Sequence, residues 1–186
     1  MAEFQKEELI LPATDDRIFK TLLTHSNAEL VLMDIISNVI GQNIKTVQIR
    51  GNELATSDTQ EKAQRFDVNC SIEDGTQVNV EMHCEELPET GVVRVNFINR
   101  YTYYLTDLHS SQKSVSVKYK DLVRTFQITF SLHAVFPNHS GFIHRFSLRN
   151  TDGEQFTDQI NMVIIELSKL EDIIKKPLSQ ITEFEK

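Results

Sequence analysis

The chain has 186 residues, of which 40% are hydrophobic and 25% charged, enough for one domain with a substantial core. A formal charge of −8 and a pI near 5.2 exclude a generic polyanion binder, because non-specific affinity for nucleic acid comes mainly from neutralised phosphates. No apolar run approaches the roughly 18 to 20 residues of a membrane span, and the N-terminus, MAEFQKEELI, carries acids where a signal peptide carries bases. The expectation is a soluble, cytoplasmic protein with no membrane partner, in which any nucleic acid is held by a local basic patch or a metal. Cys70 and Cys84 are expected to be reduced core thiols.

Asp15 and Asp16 are placed to cap a helix carrying Ile18, Phe19, Leu22 and Leu23, and SNAE at residues 26–29 has the form of a capping box for a second helix that stops at Gly41. Residues 44–49 alternate and are rich in β-branched side chains, which predicts a strand, and the polar residues 51–64 read as a loop. After the stretch RFDVNCSIEDGTQVNVEMHC and an acidic turn, Val95, Ile98, Tyr101, Leu105 and Leu108 recur at helical spacing within residues 94–112. RTFQITFSLHAVF, FIHRFSLRN and MVIIEL supply three further strands. The fold class predicted is α/β, a mixed central sheet flanked by helices. Residues 1–10 form an extension, 11–176 the domain and 177–186 a tail.

In RFDVNCSIEDGTQVNVEMHC, EDG separates two alternating runs and signals a hairpin, and the loop length decides which side chains share a face. A two-residue turn at Asp74-Gly75 sets Val68 opposite Glu81 and mixes apolar with polar positions. A three-residue loop, with Gly75 left-handed, pairs Cys70 with Val78, Val68 with Val80 and Phe66 with Met82, so that one face is apolar. The same register sets Asp67 across from Glu81, with His83 two residues along the same face. Opposed carboxylates destabilise a strand pair unless something neutralises them. A hard cation on oxygen ligands does so, and Mg²⁺ is the natural candidate, with Mn²⁺ able to substitute. The alternative is a solvated acidic face.

Asp67, a turn, and Glu81-Met82-His83 together resemble the D…(D/E)xK arrangement of the PD-(D/E)XK nuclease superfamily. More narrowly, the chain resembles the Rpn family of recombination-promoting nucleases and transposases. DRIFK at residues 16–20 matches that family's D-x-x-F-K element, RFDV and VEMH its two motif strands, RYTYY at 100–104 its R-x-x-Y-Y helix, and YKDL at 119–122 its Y-x-x-L segment. HRFSLRN and IIELSKL look like its last strands, so the resemblance spans roughly residues 11–176. It implies a restriction-endonuclease-like fold and a Mg²⁺-dependent DNA endonuclease associated with transposition or recombination. Asp67, Glu81 and His83 would be catalytic, and Asp67, Glu81, the Met82 main-chain carbonyl and Asp16 would be metal ligands.

The chain departs from the family in having His83 where lysine or glutamine is usual, and an imidazole is not an equivalent cation. Related chains also continue into a further helical region. These departures favour the alternative function, a catalytically impaired nuclease-fold module that binds or regulates. The DNA-binding candidates are Lys20, one turn after Asp16, Arg100 and Tyr104 on one helix face, and the local basic run of Lys113, Lys118, Lys120 and Arg124. Binding to DNA is expected to be weak, and a homo-oligomer stays open.

Overall fold

The structure is a computed structural model that describes residues 12–51, 66–85, 91–113, 117–170 and 175. The 1–10 extension, the 177–186 tail and most of the 51–64 loop lie outside these residues. Helix α1 (Asp16–Thr24) is capped by Asp15, whose Oδ1 accepts the N–H groups of Arg17 and Ile18 at 3.1 and 3.2 Å. Helix α2 (Glu29–Ile40) starts later than the SNAE pattern implies, with Ala28 at its cap and no side-chain cap bond. The competing structure is a tight turn: the Ala28 N–H reaches the His25 carbonyl at 2.8 Å and the Asn27 N–H reaches His25 Nδ1 at 3.3 Å. Ser26 is thereby inside a turn rather than at a helix cap. Gly41 ends α2 as expected, at φ 74° with its N–H on the Ser37 carbonyl.

The strand predicted at 44–49 survives only as β1 (Val47–Ile49). The amides of Lys45 and Thr46 instead meet the Glu73 carboxylate at 3.2 and 3.4 Å, so a side chain takes the place of a ladder partner. β2 (Val68–Ile72) and β3 (Gln77–His83) form the predicted hairpin, with Val68 opposite Val80 and Cys70 opposite Val78. Gly75 sits at φ 85°, as the three-residue loop requires, and a side chain there would also meet Val123 at 3.3 Å. Helix α3 (Gly91–Ser110) is followed by β4 (Thr125–Ser131), β5 (Ile143–Ser147) and β6 (Ile160–Glu166).

The sheet order is β1-β2-β3-β4-β6-β5, in which β4 runs parallel to β3 and β6 and the outer pairings are antiparallel. This mixed open sheet flanked by helices is a restriction-endonuclease-like α/β fold. One face buries Val68, Cys70, Val80, Ile128 and Val163 against Phe19 of α1 and Leu32 and Ile36 of α2. The Cys70 thiol is pushed up to about 12 by burial, which makes it inert, and neither cysteine is in a disulfide. On the other face α3 sets Phe97, Tyr101 and Leu105 over Met162 and Ile164 of β6. The hairpin's polar side is therefore not solvated: Asn79, Glu81, His83, Gln127 and Thr129 are all buried. Among the described residues no helix is long and apolar enough to cross a membrane.

At the end of β6, Glu166 is fully buried and accepts the Phe136 N–H at 2.6 Å, His144 Nε2 at 3.1 Å and the Lys169 ammonium. Lys169 also donates to the carbonyls of Phe136, His139 and Gly141, so one ion pair fastens the segment between β4 and β5. Burial pushes the Glu166 carboxyl up, but the bonds from Lys169, Phe136 and His144 outweigh it and hold its pKa below the usual range. A depressed carboxyl contributes stability that is present at neutral pH and lost as the pH falls through the folded-state value. Glu166→Ala removes the shared acceptor of the Phe136 amide, His144 and the partly exposed Lys169 ammonium, which keeps its three carbonyl partners, and is expected to cost about 1–3 kcal/mol in urea unfolding at pH 7. That deficit should shrink as the pH is lowered through the acid range.

Candidate active site

The β2–β3 ladder runs out just after Val68 and Val80, and two carboxylates take over from the missing backbone bonds. Asp67 Oδ2 accepts the Met82 N–H at 3.0 Å, and Glu81 Oε1 accepts the Asp67 N–H at 3.1 Å. Each acid thus holds the other strand's backbone, and the acids themselves are brought together as the register requires. Glu81 is only 2% exposed. Burial first, and then the Asp67 charge, push its pKa up, and bonds from Asn79 and the Asp67 N–H together with the Arg100 charge only partly offset this. Without a cation Glu81 therefore holds its proton up to about pH 8, and a metal ion would have to displace that proton in order to bind both acids as carboxylates.

Such a pair suits a hard divalent cation, and the other donors fit as well. The Met82 N–H points toward Asp67, so the Met82 carbonyl faces the same edge of β3, whereas the His83 carbonyl turns to β4 and accepts the Leu132 N–H at 2.9 Å. No three His, Cys, Asp or Glu side chains among the described residues are grouped to hold a metal. The donor set is two carboxylates and one carbonyl, which suits an ion that keeps several waters. Asp16 is the first residue of α1 and its side chain lies outside the described set. Cys84 Sγ donates to the Thr14 carbonyl at 2.7 Å and ties the entry of that helix to the end of β3.

His83 is 5% exposed, with Phe97 edge-on at 4.8 Å and the Tyr101 hydroxyl 3.2 Å from Nδ1. Burial lowers its pKa, so the third motif position carries a neutral imidazole. Positive charge comes from elsewhere. Lys20 Nζ lies 3.4 Å from the Phe66 carbonyl, one residue before Asp67. Arg100 Nε is 3.2 Å from the Tyr104 hydroxyl, with its guanidinium over the rings of Tyr101 and Tyr104. Tyr104 in turn meets Phe66 edge-on at 5.7 Å.

Lys113, Lys118, Lys120 and Arg124 do not join this group. The Gln77 N–H bonds the Arg124 carbonyl at the start of β3, four residues and about 13 Å from Glu81. Because β4 runs parallel to β3, the basic run that leads into β4 must lie at the hairpin's turn end. There Arg124 pairs with Asp74 at 2.8 Å and Gln42 at 3.2 Å, Lys113 sits over Tyr119, and Lys118 and Lys120 are exposed. Gln112, whose role the sequence leaves open, clamps the same end. Its Oε1 accepts the Val123 N–H at 2.9 Å and its Nε2 donates to Thr125 Oγ1 at 2.9 Å. Sequence reasoning missed Asn79 and Gln127, a buried amide pair behind Glu81. The available signal was a polar residue at every second position of strands otherwise fit for a core.

A restriction-endonuclease-like sheet whose hairpin sets one acid at a strand entry and another on the adjacent strand defines the nuclease-fold class. Within it the chain belongs to the PD-(D/E)XK nuclease family transposases, whose family profile matches residues 13–186. No curated protein and no solved structure matches the chain.

The raised Glu81 carboxyl has a thermodynamic sign. A carboxyl raised on folding costs stability above its ordinary range, and the cost disappears as the pH falls below it. In chelator, Glu81→Gln keeps an oxygen acceptor for the Asp67 and Asn79 donors while removing the charge. It is expected to raise the melting temperature at pH 8 by roughly 2–4 °C per kcal/mol recovered. Near pH 4 the variant and the wild type should melt together in the same scan.

Proposed function

We propose that the chain is a divalent-cation-dependent DNA endonuclease that hydrolyses phosphodiester bonds and serves transposition or recombination. The observation that supports this reading best is the opposition of the half-buried Asp67 and the buried Glu81 carboxyls beside the Met82 carbonyl, in a member of a nuclease family. Asp67, Glu81 and the Met82 carbonyl would hold Mg²⁺, or Mn²⁺ in its place, with Asp16 as a further acid. The bound ion would supply a Lewis acid for the scissile phosphate and lower the pKa of an attacking water. Arg100, oriented by Tyr104, and Lys20 flank the pair and are suited to phosphate oxygens. His83, neutral and held by Tyr101, brings no positive charge to the site, and its burial makes it a weak base.

Asp67→Asn and Glu81→Gln are each expected to lower Mg²⁺-dependent cleavage of plasmid DNA at least a hundredfold while the circular dichroism spectrum is retained. Asp67→Ala is a poorer probe, because it also strips the Met82 amide of its acceptor. The burial of His83 favours a second reading, a noncatalytic nuclease-fold module that binds or regulates. No cleavage of single- or double-stranded DNA with Mg²⁺ or Mn²⁺, together with no metal binding by calorimetry, would select it.

The exposed Lys118 and Lys120 are proposed as a separate, weak anchor on the DNA backbone. Reversing both to glutamate is expected to reduce affinity equally for unrelated sequences and to flatten the salt dependence by about 0.9 log units for each phosphate that is no longer neutralised. Fluorescence anisotropy across a salt series measures both effects.

A further inference from the structure

We propose that Asn79, backed by Gln127, is a positioning residue that selects which oxygen of Glu81 faces a bound cation. The inference rests on the metal-site reading of Asp67 and Glu81. Asn79 lies two residues before Glu81 on the same face of β3 and directly beside Gln127 on β4. Its Nδ2 donates to Glu81 Oε1 at 3.0 Å and to Gln127 Oε1 at 2.8 Å. Gln127 Nε2 is committed to Thr129 Oγ1 at 3.1 Å, which fixes the Gln127 oxygen toward Asn79. Both neighbours of the Asn79 amide nitrogen are acceptors, so the amide has one workable orientation.

Glu81 Oε1 thereby receives two donors, Asn79 Nδ2 and the Asp67 N–H at 3.1 Å. Oε1 is occupied, the carboxylate plane is set, and Oε2 is left as the oxygen to present to a ligand. Stability alone does not explain the arrangement. Asn79 and Gln127 are fully buried, and Asn79 Oδ1 has no hydrogen-bond partner among the described residues. A buried polar group left incomplete is costly, and an apolar pair of the same shape is often neutral or better. The chain instead keeps an imperfect amide pair directly behind the carboxylate.

The test measures Mn²⁺ binding by electron paramagnetic resonance and melting in chelator for the wild type, Asn79→Leu and Gln127→Met, with Glu81→Gln as the site control. A positioning role predicts a Mn²⁺ dissociation constant about tenfold higher in Asn79→Leu and raised to a lesser degree in Gln127→Met. Melting in chelator should be equal to or above that of the wild type, and for cleavage kcat should fall while KM for DNA holds. A lower melting temperature with an unchanged dissociation constant, in either variant, assigns the pair to structure and overturns the proposal. If Asn79→Leu does not fold, Gln127→Met decides by the same criterion, since it keeps Asn79 and removes only its anchor. If the wild type and Glu81→Gln alike bind no Mn²⁺, the metal-site reading itself fails and this inference falls with it.

Discussion

The open end of the β2–β3 hairpin sets the terms for the rest of the molecule. Where backbone pairing stops, Asp67 and Glu81 close the ladder with their side chains, and the closure brings two like charges together in a largely buried place. Backbone hydrogen bonding demands acceptors there, while electrostatics penalises their being ionised. A cation relieves the second demand without disturbing the first. The acids are consequently part of the sheet as well as of the site, which is why amide replacements separate the two roles and alanine does not.

Around that pair the two sheet faces divide the work. Helices α1 and α2 cover an apolar face that would hold in many proteins. α3 covers the opposite face, where β3 and β4 present carboxylate, imidazole, amide and hydroxyl groups in alternation, and the helix supplies the Tyr101 hydroxyl and the Arg100 guanidinium to meet them. The interior on that side is wired by hydrogen bonds, so its geometry is more tightly specified than its stability requires. The basic run at the other end of β3 is joined to this region only through the length of the strand.

The hairpin was legible because two independent constraints agree: the apolar alternation admits only one register, and Gly75 supplies the backbone that register needs. The acid pair followed from the register, and the ordered motifs supplied the family. Local signals failed where another local partner competed. SNAE yields to the His25–Ala28 turn, and the first half of the 44–49 strand yields to the Glu73 carboxylate. The covering of the polar face was less legible, since alternation of this kind ordinarily marks a side open to water, whereas α3 lies over it. The bond between Asn79 and Gln127 joins residues 48 positions apart, across a parallel pairing whose register no turn dictates. Neither its existence nor its place behind Glu81 is encoded in any short window.

The packing of His83 against the touching rings of Phe97 and Tyr101 also bears on how the site would respond to a change at that position. A lysine arriving at position 83 by a single substitution would have to place its ammonium against two aromatic rings in a space shaped for a flat ring, with the Tyr101 hydroxyl as the nearby polar group. The rings do not forbid an ammonium, since the Arg100 guanidinium already lies over those of Tyr101 and Tyr104, but a flexible chain fills the place of a flat imidazole less well and forgoes its contacts with both neighbours. Packing as well as chemistry therefore bears on which side chain position 83 can hold.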